Sequence, residues 1–343
     1  MDQYVGLDVS LKETFVCVVD ACGEVVCEKS VGTTPETIAK FIEKKAPGAV
    51  RVGLESGLLS TWLWHGLRAL GLPVVCLDAR HAASALKMQV NKTDRNDAAG
   101  LAQIVRTGWY REVEVKSLAC HEVRAVLLAR SRLVASRRDL ENQMRGLLKP
   151  FGLLVGKVRG KGFEGRVREL IADTPAMAEV IDALLLARRT LCTQVARLDV
   201  RVRMLAQTIA PCRRLMTVPG VGPITALAYV TVIDDPGRFR KGRSVGAYLG
   251  LTPRRYQSGE VDRAGRISKC GDGLVRTLLF EAAGVLLTRV QRMSPLKAWG
   301  LRLAKRIGAK KAKVAVARKL AVILHCMWTD GTEFWWTKEE ATA

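Results

Sequence analysis

The order of elements in the first hundred residues constrains the fold more than anything else in this chain. Three runs, YVGLDVS (4–10), TFVCVVD (14–20) and EVVCEKSV (24–31), are rich in Val, Phe, Thr and Cys, and the turn ACG separates the last two. This composition around a glycine turn predicts a β-meander. Patterning then predicts a helix over about 35–46, a strand AVRVGLES, a helix over about 60–71, a strand LPVVCLDA and a helical stretch from about 80 to 107.

Three antiparallel strands followed by alternating helix and strand is the order of a ribonuclease-H-like α/β domain. Actin-like and sugar-kinase ATPases open in the same way. From about residue 117 the pattern changes to long helices. Met177, Ile181, Leu184, Arg188, Leu191, Val195, Leu198, Val202, Leu205 and Ile209 alternate spacings of four and three, and only Arg188 breaks the apolar run. That is a heptad seam, for packing within one chain or for an oligomerisation arm. An earlier amphipathic helix, about 121–149, stops at KPFG, and the two helices are expected to pair as an antiparallel helical hairpin. The last segment starts near Pro211 and ends in a basic helical run over about 274–328. The expected class is α/β plus α: residues 1–112 an α/β domain, 113–210 a coiled-coil helical region, and 211–343 a mostly helical C-terminal domain.

Charge narrows the partners. The chain carries 55 Lys+Arg against 33 Asp+Glu, a net +22. Residues 1–100 hold 11 basic and 12 acidic side chains, so all of the excess lies downstream. A basic surface of that size predicts nucleic-acid binding through phosphate neutralisation. The nine cysteines form no CxxC pair, which argues against a zinc knuckle or a redox motif and fits a reducing cytosol. No signal peptide opens the chain and no apolar run approaches a membrane span, so a cytoplasmic protein without membrane partners is expected.

Asp8 sits in the middle of an apolar strand, where an unpartnered carboxylate costs several kcal/mol. Glu55 occupies a similar place at the end of VRVGLESG. Asp94 and Asp97, in VNKTDRNDA, stand one helical turn apart and face one way. Singly, each has a structural reading: Asp8 a hydrogen-bonded core acid, Glu55 a surface ion pair, Asp94 an N-cap after Thr93. As an ordered set on this frame, four carboxylates without His or Cys point to Mg2+ (or Mn2+) and metal-assisted phosphoryl transfer.

Two further stretches carry chemistry. In VPGVGPITA (218–226), Gly220 and Gly222 fit the hairpin of a helix-hairpin-helix element, which aims backbone N–H groups at a phosphate; a plain tight turn is the alternative. In GLTPRRYQSGEVDRAGRISKCGD (250–272), Ser258 is either the tip of a β-turn or a nucleophile toward phosphorus, and residue chemistry alone favours the turn. Arg254, Arg255, Arg263 and Arg266 are close enough in sequence to stabilise a five-coordinate phosphate. Lys269, Lys310, Lys311 and Lys313, with Lys92 and Arg95 beside the acids, complete the candidate nucleic-acid contacts.

The motifs GLDVS, LESG, KTDRNDA, PGVGPITA and YLGLTPRRYQSGE…GRISKCGD, in that order over nearly the whole chain, resemble the DEDD transposases of bacterial insertion sequences, the bridge-RNA-guided recombinases. The resemblance implies a RuvC-like (Holliday-junction-resolvase-like) N-terminal domain, a coiled-coil insertion and a C-terminal transposase domain. It matches Asp8, Glu55, Asp94 and Asp97 to the family's metal-binding acids and Ser258 to its nucleophilic serine. It further implies a phosphoserine intermediate, a Holliday junction, target and donor DNA as substrates, a structured guide RNA as partner, and a dimer or tetramer sharing active sites between protomers. The alternatives are an actin-like or sugar-kinase ATPase, which leaves the basic two-thirds unexplained, and a non-catalytic nucleic-acid scaffold.

Overall fold

The computed structural model describes residues 1–87 and 91–337. Met88–Val90, inside the stretch expected to be helical, lie outside the described residues. The chain forms two compact units, Met1–Leu118 and Ala119–Ala343.

The first unit is built on a five-stranded sheet. It comprises β1 (Gln3–Val9), β2 (Glu13–Asp20), β3 (Val25–Gly32), β4 (Ala49–Glu55) and β5 (Val74–Leu77), in the spatial order β3-β2-β1-β4-β5. The meander β1–β3 is antiparallel, whereas β1–β4 and β4–β5 are parallel. α1 (Pro35–Lys45) joins β3 to β4 and α2 (Ser60–Ala69) joins β4 to β5, and α3 (Ala79–Leu86) and α4 (Asp94–Thr107) follow β5. Strand alternation sorts the two faces. Val5, Leu7, Val16, Val18, Val52 and Leu54 bury against Ile38 and Ile42 of α1 and Leu63 and Leu67 of α2. On the other face, Cys17 and Val19 pack with Ala98 and Ala102 of α4, and Leu77 packs with Leu101 and Val105.

The second unit is mainly helical. Two long helices, α5 (Leu118–Leu148) and α7 (Pro175–Thr208), flank the shorter α6 (Gly162–Ile171). α5 and α7 are antiparallel and in register. The ion pairs Arg130–Asp199 and Glu141–Arg188 lie eleven residues apart on each helix. None of the ten seam positions, nine on α7 and Ile209 at its C-cap, is exposed. Arg188, the one charged member, is buried, and its Nε donates to Glu141 at 2.8 Å and its Nη2 to the Gly160 carbonyl at 2.8 Å. Its guanidinium and that of Arg145 each stand 5.0 Å from the centre of the Phe163 ring. Phe163 in turn packs with Met144, Leu148, Ile181 and Leu185, so the far end of the helix pair is a folded knob.

The rest of the second unit comprises α8 (Ala210–Leu215), α9 (Pro223–Ile233), α10 (Arg243–Tyr248), the hairpin β6 (Pro253–Ser258) and β7 (Val261–Ile267), α11 (Gly273–Thr288), α12 (Pro295–Ile307) and α13 (Ala309–Asp330). α9 is almost wholly buried, and its Tyr229 donates through its hydroxyl to the Ala321 carbonyl of α13 at 2.7 Å. The hairpin differs: every residue of β6 is exposed. Its strands have polar side chains on both faces, so no two-residue alternation marks them in the sequence.

Candidate active site

The four acids share a face of the first unit for a backbone reason. Gly6 of β1 pairs with Gly53 of β4, and Leu7 with Leu54. Both leucines point into the core, so both glycines face α4. A Cβ on Gly6 would lie 2.1 Å from the Ala98 carbonyl oxygen, and one on Gly53 would lie 2.3 Å from Val105 Cγ1. α4 therefore sits closer to the sheet than any side chain permits. Asp8 and Glu55 follow two residues after these glycines, on the same face, where the strands end and α4 begins.

Thr93 starts that helix. With φ −142° and ψ 152° it is extended, and its Oγ1 accepts from the Asn96 N–H at 3.1 Å. Thr93, not Asp94, is thus the cap; Asp94 is the first helical residue and Asp97 lies one turn on. Asp94 is exposed and Asp97 half-buried. Both face the positive end of the helix dipole.

The electrostatics follow from this crowding. The Asp8 carboxyl is held above the usual carboxylate range by burial first, then by the charges of Asp94 and Asp97. The Glu55 carboxyl is raised by burial first, then by Asp8 and Asp97. Lys92 opposes both shifts, and its Nζ lies 4.0 Å from an Asp97 oxygen. Among the described residues, neither Asp8 nor Glu55 has an ion pair or a side-chain hydrogen bond. The core-acid reading of Asp8 and the ion-pair reading of Glu55 therefore do not describe them.

Asp8 and Glu55 stand between two openings. One is a cleft of about 400 Å3 lined also by Asp97, Lys87, Asn91 and Lys92. The other, about 800 Å3, is walled by Leu11, Lys12 and Leu58. Leu11 and Leu58 are both largely exposed. Among the described residues, no three acids stand close enough to form a ready-made cage for one ion. The donor chemistry nonetheless fits a hard divalent cation: carboxylate oxygens only, two of them disfavoured as anions until a positive charge arrives.

Ser258 belongs to the second unit. It is the last residue of β6, is exposed, and pairs with Val261 across a two-residue loop that begins with Gly259 at φ +54°. The turn reading of SG is therefore correct as local geometry, and it leaves the hydroxyl at a hairpin tip. Asp262 accepts two bonds from Arg255, at 2.8 and 2.6 Å, across the hairpin.

The candidate phosphate contacts divide. Arg266, Lys269 and Lys311 come together around one large cavity, whereas Arg263 and Lys310 are simply exposed. Arg254 donates to the Ser268 carbonyl at 3.3 Å, Arg95 pairs with Glu28, and Lys313 leans on the Phe280 ring. Gly220, at φ +90°, is required by packing: a Cβ there would meet the Ala282 carbonyl oxygen at 2.6 Å. Gly222 is the N-cap residue of α9. Sequence reading missed Gly6 and Gly53, although the repeated triads Gly-Leu-Asp (6–8) and Gly-Leu-Glu (53–55) advertise two equivalent strand ends.

This fold and these acids fit a ribonuclease-H-like transposase domain. Comparison with known proteins agrees. Residues 5–152 match the DEDD transposase family of IS110-type elements, and residues 212–297 match the family described as "Transposase IS116/IS110/IS902 family". A probable family 20 transposase of Pseudomonas aeruginosa is 32% identical over 96% of this chain and 97% of its own length. The transposase for insertion sequence element IS1111A of Coxiella burnetii is 29% identical over 94% and 89%. A shorter match, 29% identical over 35% of the chain and 37% of the relative, is the pilin gene-inverting protein of Moraxella lacunata.

The chain belongs to the IS110/IS116 family of insertion-sequence transposases. It is an enzyme that binds DNA, cleaves it and rejoins it, and its DEDD domain implies dependence on a divalent metal. The ATPase and scaffold readings are not favoured. Among the described residues, no helix is long and apolar enough to cross a membrane.

Proposed function

We propose that this transposase cuts and rejoins DNA through Ser258, with Asp8, Glu55, Asp94 and Asp97 holding Mg2+ or Mn2+. The observation that carries the reading is the placing of Asp8 and Glu55 at adjacent strand ends, both held above their ordinary range, under the helix turn that bears the other two acids. When bound by these acids, the cation would neutralise charge on the reacting phosphate. Ser258 Oγ attacks phosphorus, a sugar oxygen leaves, and the phosphoserine link conserves the bond energy for rejoining to a different strand end. A hairpin tip suits that role, because the hydroxyl is accessible to a phosphodiester. The Moraxella relative, by its name, inverts a gene; this favours reciprocal strand exchange through a Holliday junction over simple cleavage.

In this reading the enzyme works in the bacterial cytoplasm. A structured guide RNA pairs with target and donor DNA and supplies sequence choice, as the large basic excess downstream of residue 100 suits a protein that holds two nucleic acids. Protomers assemble as dimers or tetramers that share active sites, with the α5–α7 pair as a coiled-coil arm. The turn between α8 and α9 acts as a helix-hairpin-helix element on the DNA backbone. The test is a denaturant-stable protein–DNA adduct on a nicked or suicide substrate. It forms with the wild type and metal and is lost in Ser258→Ala. Strand exchange retained in Ser258→Ala overturns the serine mechanism.

A further inference from the structure

Beneath the β6–β7 hairpin the second unit holds a cavity of about 1110 Å3. Its buried and half-buried lining is apolar: Leu251, Val314, Val322 and the ring of Trp299. Six Lys and Arg side chains complete it, all of them exposed, among them Arg243, Arg266 and Arg318. Lys319 reaches across, its Nζ 4.7 Å from the centre of the Trp299 ring. Among the described residues the lining contains no Asp, Glu, Ser, Thr, Asn or Gln.

An apolar floor under a purely cationic rim needs a ligand with a flat apolar part and several anionic groups. A nucleic acid strand with unpaired bases has both, whereas a duplex hides its base faces in the stack. Aromatic platforms with flanking cations bind single strands in this way, with little regard to sequence. Among the described residues the lining has no side-chain acceptor for the proton of a ribose 2′-hydroxyl, so no side chain there demands ribose, and the strand that this enzyme cuts and rejoins is DNA.

We propose that this cavity seats an unpaired segment of the DNA substrate, with a base against Trp299 and phosphates on Arg243, Arg266 and Arg318. Arg266 lies on the strand that pairs with the one ending in Ser258, so the seat anchors a single strand beside that hairpin. The assignment does not depend on which residue attacks phosphorus, and the binding test below reads no chemistry.

The test uses the full-length protein and fluorescence anisotropy with labelled oligothymidylate, oligouridylate and a duplex of equal length. Trp299→Leu is expected to weaken oligothymidylate binding by about tenfold or more, the effect of losing one stacked base, and Arg318→Glu by a similar factor through the lost phosphate contact; both are expected to leave duplex binding within about twofold. Arg318 is exposed, so its variant keeps the test valid if Trp299→Leu fails to fold, as judged by melting. Unchanged oligothymidylate binding in folded variants overturns the proposal. So does an equal loss on the duplex, which marks an unspecific basic surface, and so does a Trp299-dependent preference for oligouridylate, which assigns the seat to RNA.

Discussion

Gly6 and Gly53 face one another across the parallel pair β1–β4, and at each a methyl group would collide with α4. Position 6 is the stricter, because the colliding atoms are the backbone of Ala98 and Ala102. Gly6→Ala is expected to lower stability by about 3 kcal/mol or more, above the usual cost of overpacking because no side chain can move aside. Gly53→Ala meets the Val105 side chain and is expected to cost less. Chemical denaturation of the two variants checks the order.

Asp8 and Glu55 are expected to make the folded protein sensitive to pH and to metal. Both carboxyls are raised, so between the ordinary carboxylate pKa and the folded value the native state binds more protons than the unfolded one. Stability therefore falls as pH rises through that window, and the loss persists at neutral pH. Asp8→Asn and Glu55→Gln are expected to raise the Tm at pH 7 in metal-free buffer and to flatten this slope. Millimolar Mg2+ is expected to raise the wild-type Tm and to leave the Asp8→Asn protein unmoved, as differential scanning fluorimetry with and without chelator shows.

Thr93 and its neighbours separate capping from chemistry. Thr93→Ala removes the bond to the Asn96 N–H and is expected to cost about 1 kcal/mol. Asp94→Asn and Asp97→Asn keep the cap, so they are expected to abolish DNA cleavage while leaving the Tm within a few degrees. Melting measured beside cleavage distinguishes the two classes of variant.

Glu141 neutralises the one charge within the α7 seam. Glu141→Ala strands buried Arg188 and is expected to cost about 3 kcal/mol, the low end for uncovering a buried charge because the Gly160 carbonyl and the Phe163 ring remain. Arg188→Leu combined with the same Glu141→Ala is expected to recover most of that loss. A double-mutant cycle by urea denaturation measures it.

The first unit was legible in sequence because its strands alternate or bury completely and its turns carry glycine. As candidates, Asp8 and Glu55 stood out because they break apolar runs where a carboxylate has no local reason to be. The cap was ambiguous between Thr93 and Asp94, since both side chains can accept a helix N–H and only backbone angles decide. The hairpin was hidden, because PRRYQS and VDRAGRI expose both faces and carry no period. The cavity was hidden for another reason: Arg243, Trp299 and Arg318 lie up to 75 positions apart and meet only through the packing of α10, α12 and α13. The heptad seam was visible, and so was the 121–149 helix as its antiparallel mate, but periodicity alone left packing within the chain and an oligomerisation arm equally open; the in-register bridges show that the seam packs on α5 of the same chain.

The closed end of the α5–α7 pair has a mechanical consequence. A helix of 31 residues spans about 46 Å at 1.5 Å per residue. Two guanidiniums stand against the Phe163 ring and the ring is seated in its own small core, an arrangement that opposes fraying of the tip. The pair is thus a strut of fixed length, and whatever grips the knob is kept a set distance, some thirteen or fourteen base-pair steps of duplex, from whatever the base of the strut holds.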